Sequence, residues 1–329
     1  MADNEQMEDD GYIPFKLRFK AWWEGVEIDA LRDEPPISDQ DDLEQATNIV
    51  IDPSSDETKE HNHWPDDRVE FCRRLWGAAQ NPKDDHDECV FPGGNLYCLH
   101  MAEVMALNGN VALLDLSSGL GGGLRLIVEK YGLWAVGMEP DENLAKKAMA
   151  LSVEHKLNKN APITTFDRNA LDLPEEKFGG AMMRDLLCSV QNKAEFLKTV
   201  HGALRPHGHL VIEDFVLANP DAGDDPAVKS WLAKDDRHPS LSTPKGIKDS
   251  IKQLGMNIHS LDDKSDEYRK IILNNWDNFV QSLKREDLTR SLVNNMMVEA
   301  DFYLRQVRAL ESGKLRYLRL HASKKGETI

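Results

Sequence analysis

Asp115 stands just ahead of a run of glycines, in the stretch Val-Ala-Leu-Leu-Asp-Leu-Ser-Ser-Gly-Leu-Gly-Gly-Gly that spans Val111 to Gly123. Glycine is required where backbone turns sharply or approaches a ligand closely. A carboxylate before such a turn repels a pyrophosphate and suits an amine or a sulfonium. Glu139 follows a second apolar run, Trp134-Ala-Val-Gly-Met138. An acid there can accept from the two hydroxyls of a ribose, one on each oxygen. Arg184 and Asp185 follow a further apolar run, Phe178 to Met183. Asp185 could hold a cationic or hydroxyl group or take a proton; a surface ion pair with Arg184 is the alternative. Gly93 and Gly94 could allow a close approach to a ligand, or belong to an ordinary turn capped by Asn95.

These groups need a scaffold that brings strand ends together. The run Val111–Leu116 predicts a buried parallel strand. Leu124, Ile127 and Val128 share one face of a following helix. Further strands are expected at 134–138, 163–166, 178–183, 209–214, 256–261 and 314–322. Helices are expected over 68–81, 96–107, 141–156, 193–204 and 243–254, with one or two more over 266–311. Thr243-Pro244 reads as a cap followed by proline at the first helical position. Leu204-Arg-Pro-His-Gly208 reads as a helix stop and turn, with His207 and His209 as structural turn residues. The alternation of strands and helices implies an α/β fold with ligands at the carboxyl ends of the strands. Trp276 could pack on a cation, although a core position is the better expectation.

Composition narrows the function. The net charge is −17 over 329 residues, and residues 1–60 carry 18 acids against 5 bases. No basic stripe appears, so nucleic acid is not expected as a partner. No apolar run is long enough to cross a membrane, and the acidic start does not read as a secretory signal. Cys72, Cys89, Cys98 and Cys188 lack C-x-x-C spacing, which points to a reducing, cytoplasmic setting. No metal site is expected, because His61 and His63 have no third ligand of their own. Residues 12–24 form an aromatic and basic segment, Tyr12 through Trp23 at its centre. It reads either as packed on the main domain or as a helix docking on a membrane or partner. The chain divides into an acidic, partly disordered extension (1–67), a core (68–217), a helical cap with the sixth strand (218–311), and a last strand with its tail (312–329).

The glycine stretch resembles motif I of class I S-adenosylmethionine-dependent methyltransferases, commonly D/E-x-G-x-G-x-G. Asp115, Gly119 and Gly121 match, and Ser117 replaces the first glycine. Glu139 agrees with motif II. Asp167 to Pro174 is similar to the family's D-A-x-x-L-P stretch, and Leu204 to Gly208 to its L-x-P-G-G turn, with His207 in place of the first glycine. Gly179 departs from the family's usual aspartate. The resemblance implies a Rossmann-like seven-stranded methyltransferase sheet with an antiparallel last strand, partner of the sixth, and a helical insertion. It implies S-adenosyl-L-methionine as cofactor. Asp115 would serve the amino-acid end, Glu139 the ribose, and Asn169 with the Ala170 backbone the adenine, Asp167 being the alternative to Asn169; Ser117, Gly119 and Gly121 would also bind the cofactor. Gly94 would lie across the cofactor. Arg184, Asp185 and the helices around Trp231 and Trp276 would shape the acceptor pocket. The layout is similar to the branch of phosphoethanolamine, sarcosine-dimethylglycine and tocopherol-type methyltransferases, which implies a small-molecule or lipid-like acceptor. A binding or regulatory protein that keeps the cofactor without turnover is the alternative. A nicotinamide-dependent oxidoreductase shares Glu139 but is disfavoured by Asp115 and by the glycine spacing.

Overall fold

The computed structural model describes Ala21 and residues 64–77, 88–235, 237 and 239–326. The segment 12–24 (Ala21 apart), the acidic run behind it, and His61 and His63 lie outside the described residues. Seven strands form one sheet: β1 (Ala112–Asp115), β2 (Trp134–Glu139), β3 (Ile163–Thr165), β4 (Phe178–Arg184), β5 (Leu204–Leu217), β6 (Asn257–Asp263) and β7 (Leu315–Ser323). Their order is β3-β2-β1-β4-β5-β7-β6. The strands from β3 through β5 are parallel, and β7 runs antiparallel between β5 and β6. The antiparallel last strand is therefore shared by the fifth strand as well as the sixth.

Side chains alternate across this sheet. Leu113, Met182 and Val211 point to one face and pack with α2 (Gly94–Ala102) and α3 (Gly122–Tyr131). Leu114, Met183 and Ile212 point to the other, toward α5 (Lys193–Ala203) and α7 (Pro244–Gln253). α4 (Glu142–Glu154) packs beside β2 and β3. A third cluster covers the carboxyl edge. It joins α1 (Asp66–Gly77), α6 (Pro226–Leu232), α8 (Ser265–Ser282) and α9 (Arg290–Glu311) around Phe215 of β5. Trp231 and Trp276 are fully buried there, the first 5.2 Å from the Phe215 ring and the second set edge-on to Phe279. Trp276 is thus a core residue of the cap.

Two local expectations change, and one that was open is resolved. The segment Leu204 to Gly208 continues β5 rather than forming a free turn, because chain beyond β7 pairs with it: the His207 N–H donates to Lys324 O at 3.1 Å and the Lys324 N–H to Gly208 O at 2.8 Å. His207 takes φ +63 to do so. Asn95 does not cap α2; Gly93 occupies the cap position at φ +88, and buried Asn95 packs against Gly122 instead. The stretch 266–311 is two helices, the second starting at Thr289, whose hydroxyl accepts from the Leu292 N–H.

Candidate active site

The sheet order reverses between β1 and β4, and the carboxyl ends of β1, β2 and β4 meet at that point. Asp115 pairs with Gly137 on one side and Met182 on the other. Glu139 and Arg184 therefore stand just beyond it on its two neighbours. Asp115 is buried, and its Oδ1 accepts the Ser117 N–H at 3.1 Å. Glu139 is buried too; its Oε2 accepts the Gly119 N–H at 2.8 Å and its Oε1 the Asp141 N–H at 3.1 Å. The two acids thus hold the same glycine loop from both sides. Ser117 ties that loop to β4 by accepting the Arg184 N–H at 2.7 Å.

Burial drives both carboxyls upward, Asp115 to about 6 and Glu139 to about 7, against the pull of the backbone donors. Among the described residues no cation forms an ion pair with either. Two buried acids held only by backbone N–H and hydroxyl groups make a site that attracts positive charge. Glycine is required in the loop itself. Gly119 has φ +53, and a Cβ there would lie 2.7 Å from the Phe91 ring. Gly121 has φ +79, and a Cβ there would strike the Ile163 side chain.

Asp185 occupies the left-handed region at φ +52, as Ala106, Lys156, Glu176 and His207 also do elsewhere in the chain. Its Oδ2 accepts from the Tyr268 hydroxyl at 3.4 Å and lies 4.0 Å from Arg184 Nε. Its Oδ1 is buried with no hydrogen-bond partner among the described residues. Burial raises its pKa, while Arg184 and Arg237 pull it down. Arg184 is locked: its Nη2 donates to Pro92 O, its Nε donates to the Tyr317 hydroxyl at 3.2 Å, and its guanidinium lies 4.3 Å over the Tyr97 ring. Burial opposes its charge, but Tyr317 and Asp185 more than restore it, so it keeps its proton. Its work is to position Asp185 and the loops. Arg237 donates from Nη1 to Asp185 O at 3.0 Å while its Nη2 pairs with Asp235 at 2.6 Å.

A cavity of about 210 Å³ lies between this edge and the cap. Of the residues singled out in the sequence, Ser117, Glu139, Arg184 and Asp185 line it. Asp115, Gly119 and Gly121 do not line it; they belong to the β1 end and the loop from which Ser117 reaches it. Gly94, buried at φ +64, is taken up in the start of α2 and does not line it. Asn169 and Ala170 are exposed; Arg168 of the same turn lines the cavity instead. Glu213 is paired with Arg319, and Asp214 accepts the Cys188 N–H at 2.9 Å, so neither acid at the tip of β5 faces the cavity. The sequence reading missed Arg237, Tyr268, Tyr303 and Arg68, which the cap helices and the loop after α6 deliver. No local motif marks them. His209, expected at the start of the fifth strand as a structural turn residue, lies within β5 beside His259 and His321, a grouping the sequence reading missed.

Residues 97–261 match a family model described as a methyltransferase domain. The phosphoethanolamine N-methyltransferase of Plasmodium falciparum is 28% identical over 178 residues, 52% of this chain and 61% of that protein. Phosphoethanolamine N-methyltransferase 1 of Zea mays is 23% identical over 193 residues, 59% of this chain and 37% of that one. The chain thus spans less than two thirds of the length of these relatives. Among solved structures, phosphoethanolamine N-methyltransferase 2 of Haemonchus contortus in complex with S-adenosyl-L-methionine superposes with a TM-score of 0.65 at 16% identity, over 79% of this chain and 57% of that one. The cyclopropane synthase MmaA2 of Mycobacterium tuberculosis gives 0.64 at 15% identity, over 80% and 96%. These likenesses are to the fold.

Proposed function

Because the chain belongs to the methyltransferase-domain family, we propose that it moves a methyl group from S-adenosylmethionine to a small amine. The observation that carries this reading is the pair of buried carboxylates, Asp115 and Glu139, that grip one glycine loop with no paired cation among the described residues. A ligand bearing a sulfonium and an ammonium answers that need; a pyrophosphate does not. When bound, S-adenosylmethionine supplies a methyl group already activated on sulfur. Glu139 is suited to accept from the ribose hydroxyls, Asp115 to face the cationic amino-acid end, and Ser117 to line the site between them. Arg168 stands where Asn169 and the Ala170 backbone were expected, and is the better candidate to flank the adenine.

The acceptor side is built around Asp185. An amine is protonated at neutral pH and must lose that proton to become a nucleophile. Asp185 Oδ1, buried and without a hydrogen-bond partner among the described residues, is placed to hold an ammonium and receive its proton. Phe215, Tyr268 and Tyr303 wall the same cavity, and aromatic faces attract alkylated ammonium groups. The protein's remaining task is to hold the two reactants in line and exclude water, which is worth roughly 7–11 kcal/mol in favourable cases. The names of the similar proteins make phosphoethanolamine the first acceptor to assay, followed by ethanolamine and its methylated forms. The four cysteines are free thiols, three of them buried, which supports a cytoplasmic setting.

Transfer of labelled methyl from S-adenosylmethionine to a panel of small amines tests this. Label in an amine is the expected outcome. Asp185→Asn is expected to lower kcat by about 100-fold or more, the scale of a lost proton acceptor, while cofactor affinity stays near wild type. Absence of saturable S-adenosylmethionine binding would overturn the reading.

A further inference from the structure

A second chemical cluster lies at the far end of the sheet. β5, β6 and β7 each present one imidazole there: His209, His259 and His321. One ring nitrogen of each lies within 4.8 Å of those of the other two. The sheet register explains the convergence. His209 pairs across to Ser323, so it sits diagonal to His321 on the same face. The register between β6 and β7 shifts at Ile258/Ser260, and the extra residue is His259. Such a bulge re-aims a side chain, and here it brings His259 within 4.7 Å of the His321 ring centre. His209 Nδ1 and His321 Nε2 are 2.9 Å apart, and His259 Nε2 lies 2.8 Å from Ser323 Oγ.

This cluster is separate from the methyl-transfer pocket. Along β5, His209 and Glu213 are about 13 Å apart at the usual strand rise, and none of the three histidines lines the pocket. Imidazole binds metal in its neutral form. Nitrogens bound at about 2.0–2.1 Å to one tetrahedral ion stand roughly 3.3 Å apart. Small side-chain rotations bring the three rings to that spacing while the paired strands stay in place. Three nitrogen ligands leave a fourth position for water, and imidazole donors select late first-row ions over magnesium or calcium.

We propose that His209, His259 and His321 form a binding site for a late first-row divalent cation, Zn²⁺ foremost, that fastens edge strand β6 through β7 to β5. An ion bound only by the folded chain raises its stability by mass action. The full chain, cleared with a chelator, is titrated with Co²⁺ and followed by visible absorption. One equivalent taken up with tetrahedral absorption, displaced by Zn²⁺, is the expected result. Zn²⁺ in excess is also expected to raise the melting temperature. His259→Ala removes an exposed side chain and is expected to fold normally and to weaken Co²⁺ binding at least tenfold, with S-adenosylmethionine binding unchanged. His321→Gln is expected to do the same. Should His321→Gln fail to fold, His259→Ala decides alone. No saturable uptake by the wild-type chain, or wild-type uptake by His259→Ala, overturns the proposal.

Discussion

Glu139 carries the sharpest consequence of burial at this site. Its native pKa of about 7 lies above the ordinary 4.5, so the folded chain holds a proton there that the unfolded chain releases. Stability from this group is therefore greatest below about pH 4.5 and falls as pH rises toward 7, by on the order of 3 kcal/mol. A cationic ligand reverses the preference, since it favours the ionised acid. S-adenosylmethionine affinity is expected to rise roughly tenfold between pH 6 and pH 8, with proton release visible by calorimetry in buffers of different ionisation heat. Glu139→Gln should flatten that rise and weaken binding by about 1–3 kcal/mol. A pH-independent affinity in the wild-type chain would remove Glu139 from the binding site. Asp115 and Glu139 were legible because each sits at the end of an apolar run, one of them before glycines. Asn169 was less legible: its assignment rests on an offset inside an irregular turn, and its side chain is exposed there while Arg168 lines the cavity.

Elements set the limits of what pattern alone can deliver. Helix starts with a capping side chain were readable, as at Thr243, which accepts the Gly246 N–H at 3.1 Å. The continuation of β5 through Leu204 to Gly208 was not, since it depends on chain beyond β7 that is remote in sequence. The same holds for the cap. α1 and α9 are joined by Arg68 Nε and Glu299 Oε1 at 2.6 Å, both side chains buried, with the Arg68 guanidinium 4.1 Å over the Trp64 ring. Breaking a buried pair by removing one partner costs more than the pair contributes, because a charge stays behind in apolar surroundings. Glu299→Ala is expected to destabilise the fold by roughly 3–5 kcal/mol in urea unfolding. Arg68 and Tyr303 both line the pocket, so a loosened cap should raise the acceptor KM while cofactor affinity, set by β1 and β2, changes little. A loss below about 1 kcal/mol would show that the cap does not depend on this pair.

The whole molecule combines a site that the sequence announces with a cover that it does not. Fold class and the succession of strands along the chain follow from alternating apolar runs and from the resemblance, because parallel strands buried on both faces are written as continuous hydrophobic stretches. The acceptor side is assembled from α1, α6, α8, α9 and the loop carrying Arg237, and those contacts join residues hundreds of positions apart, such as Arg68 and Glu299. One measurement on the intact chain separates the rival cofactors that share an acid after the second strand. A ligand present at 100 times its Kd adds about 2.7 kcal/mol to the folded state, which for a chain of this size shifts the melting temperature by about 5 °C. S-adenosylmethionine is expected to produce such a shift, because its cationic end would answer Asp115 and its ribose hydroxyls would donate to Glu139. A nicotinamide dinucleotide is expected to produce none, because its pyrophosphate would come to the glycine loop beside the buried Asp115 carboxyl. S-adenosylhomocysteine, which lacks the sulfonium charge, should shift the midpoint with a weaker rise in affinity between pH 6 and pH 8 than the methylated cofactor. A shift by the dinucleotide alone would reassign the pocket to hydride chemistry and leave the buried acids without their cation.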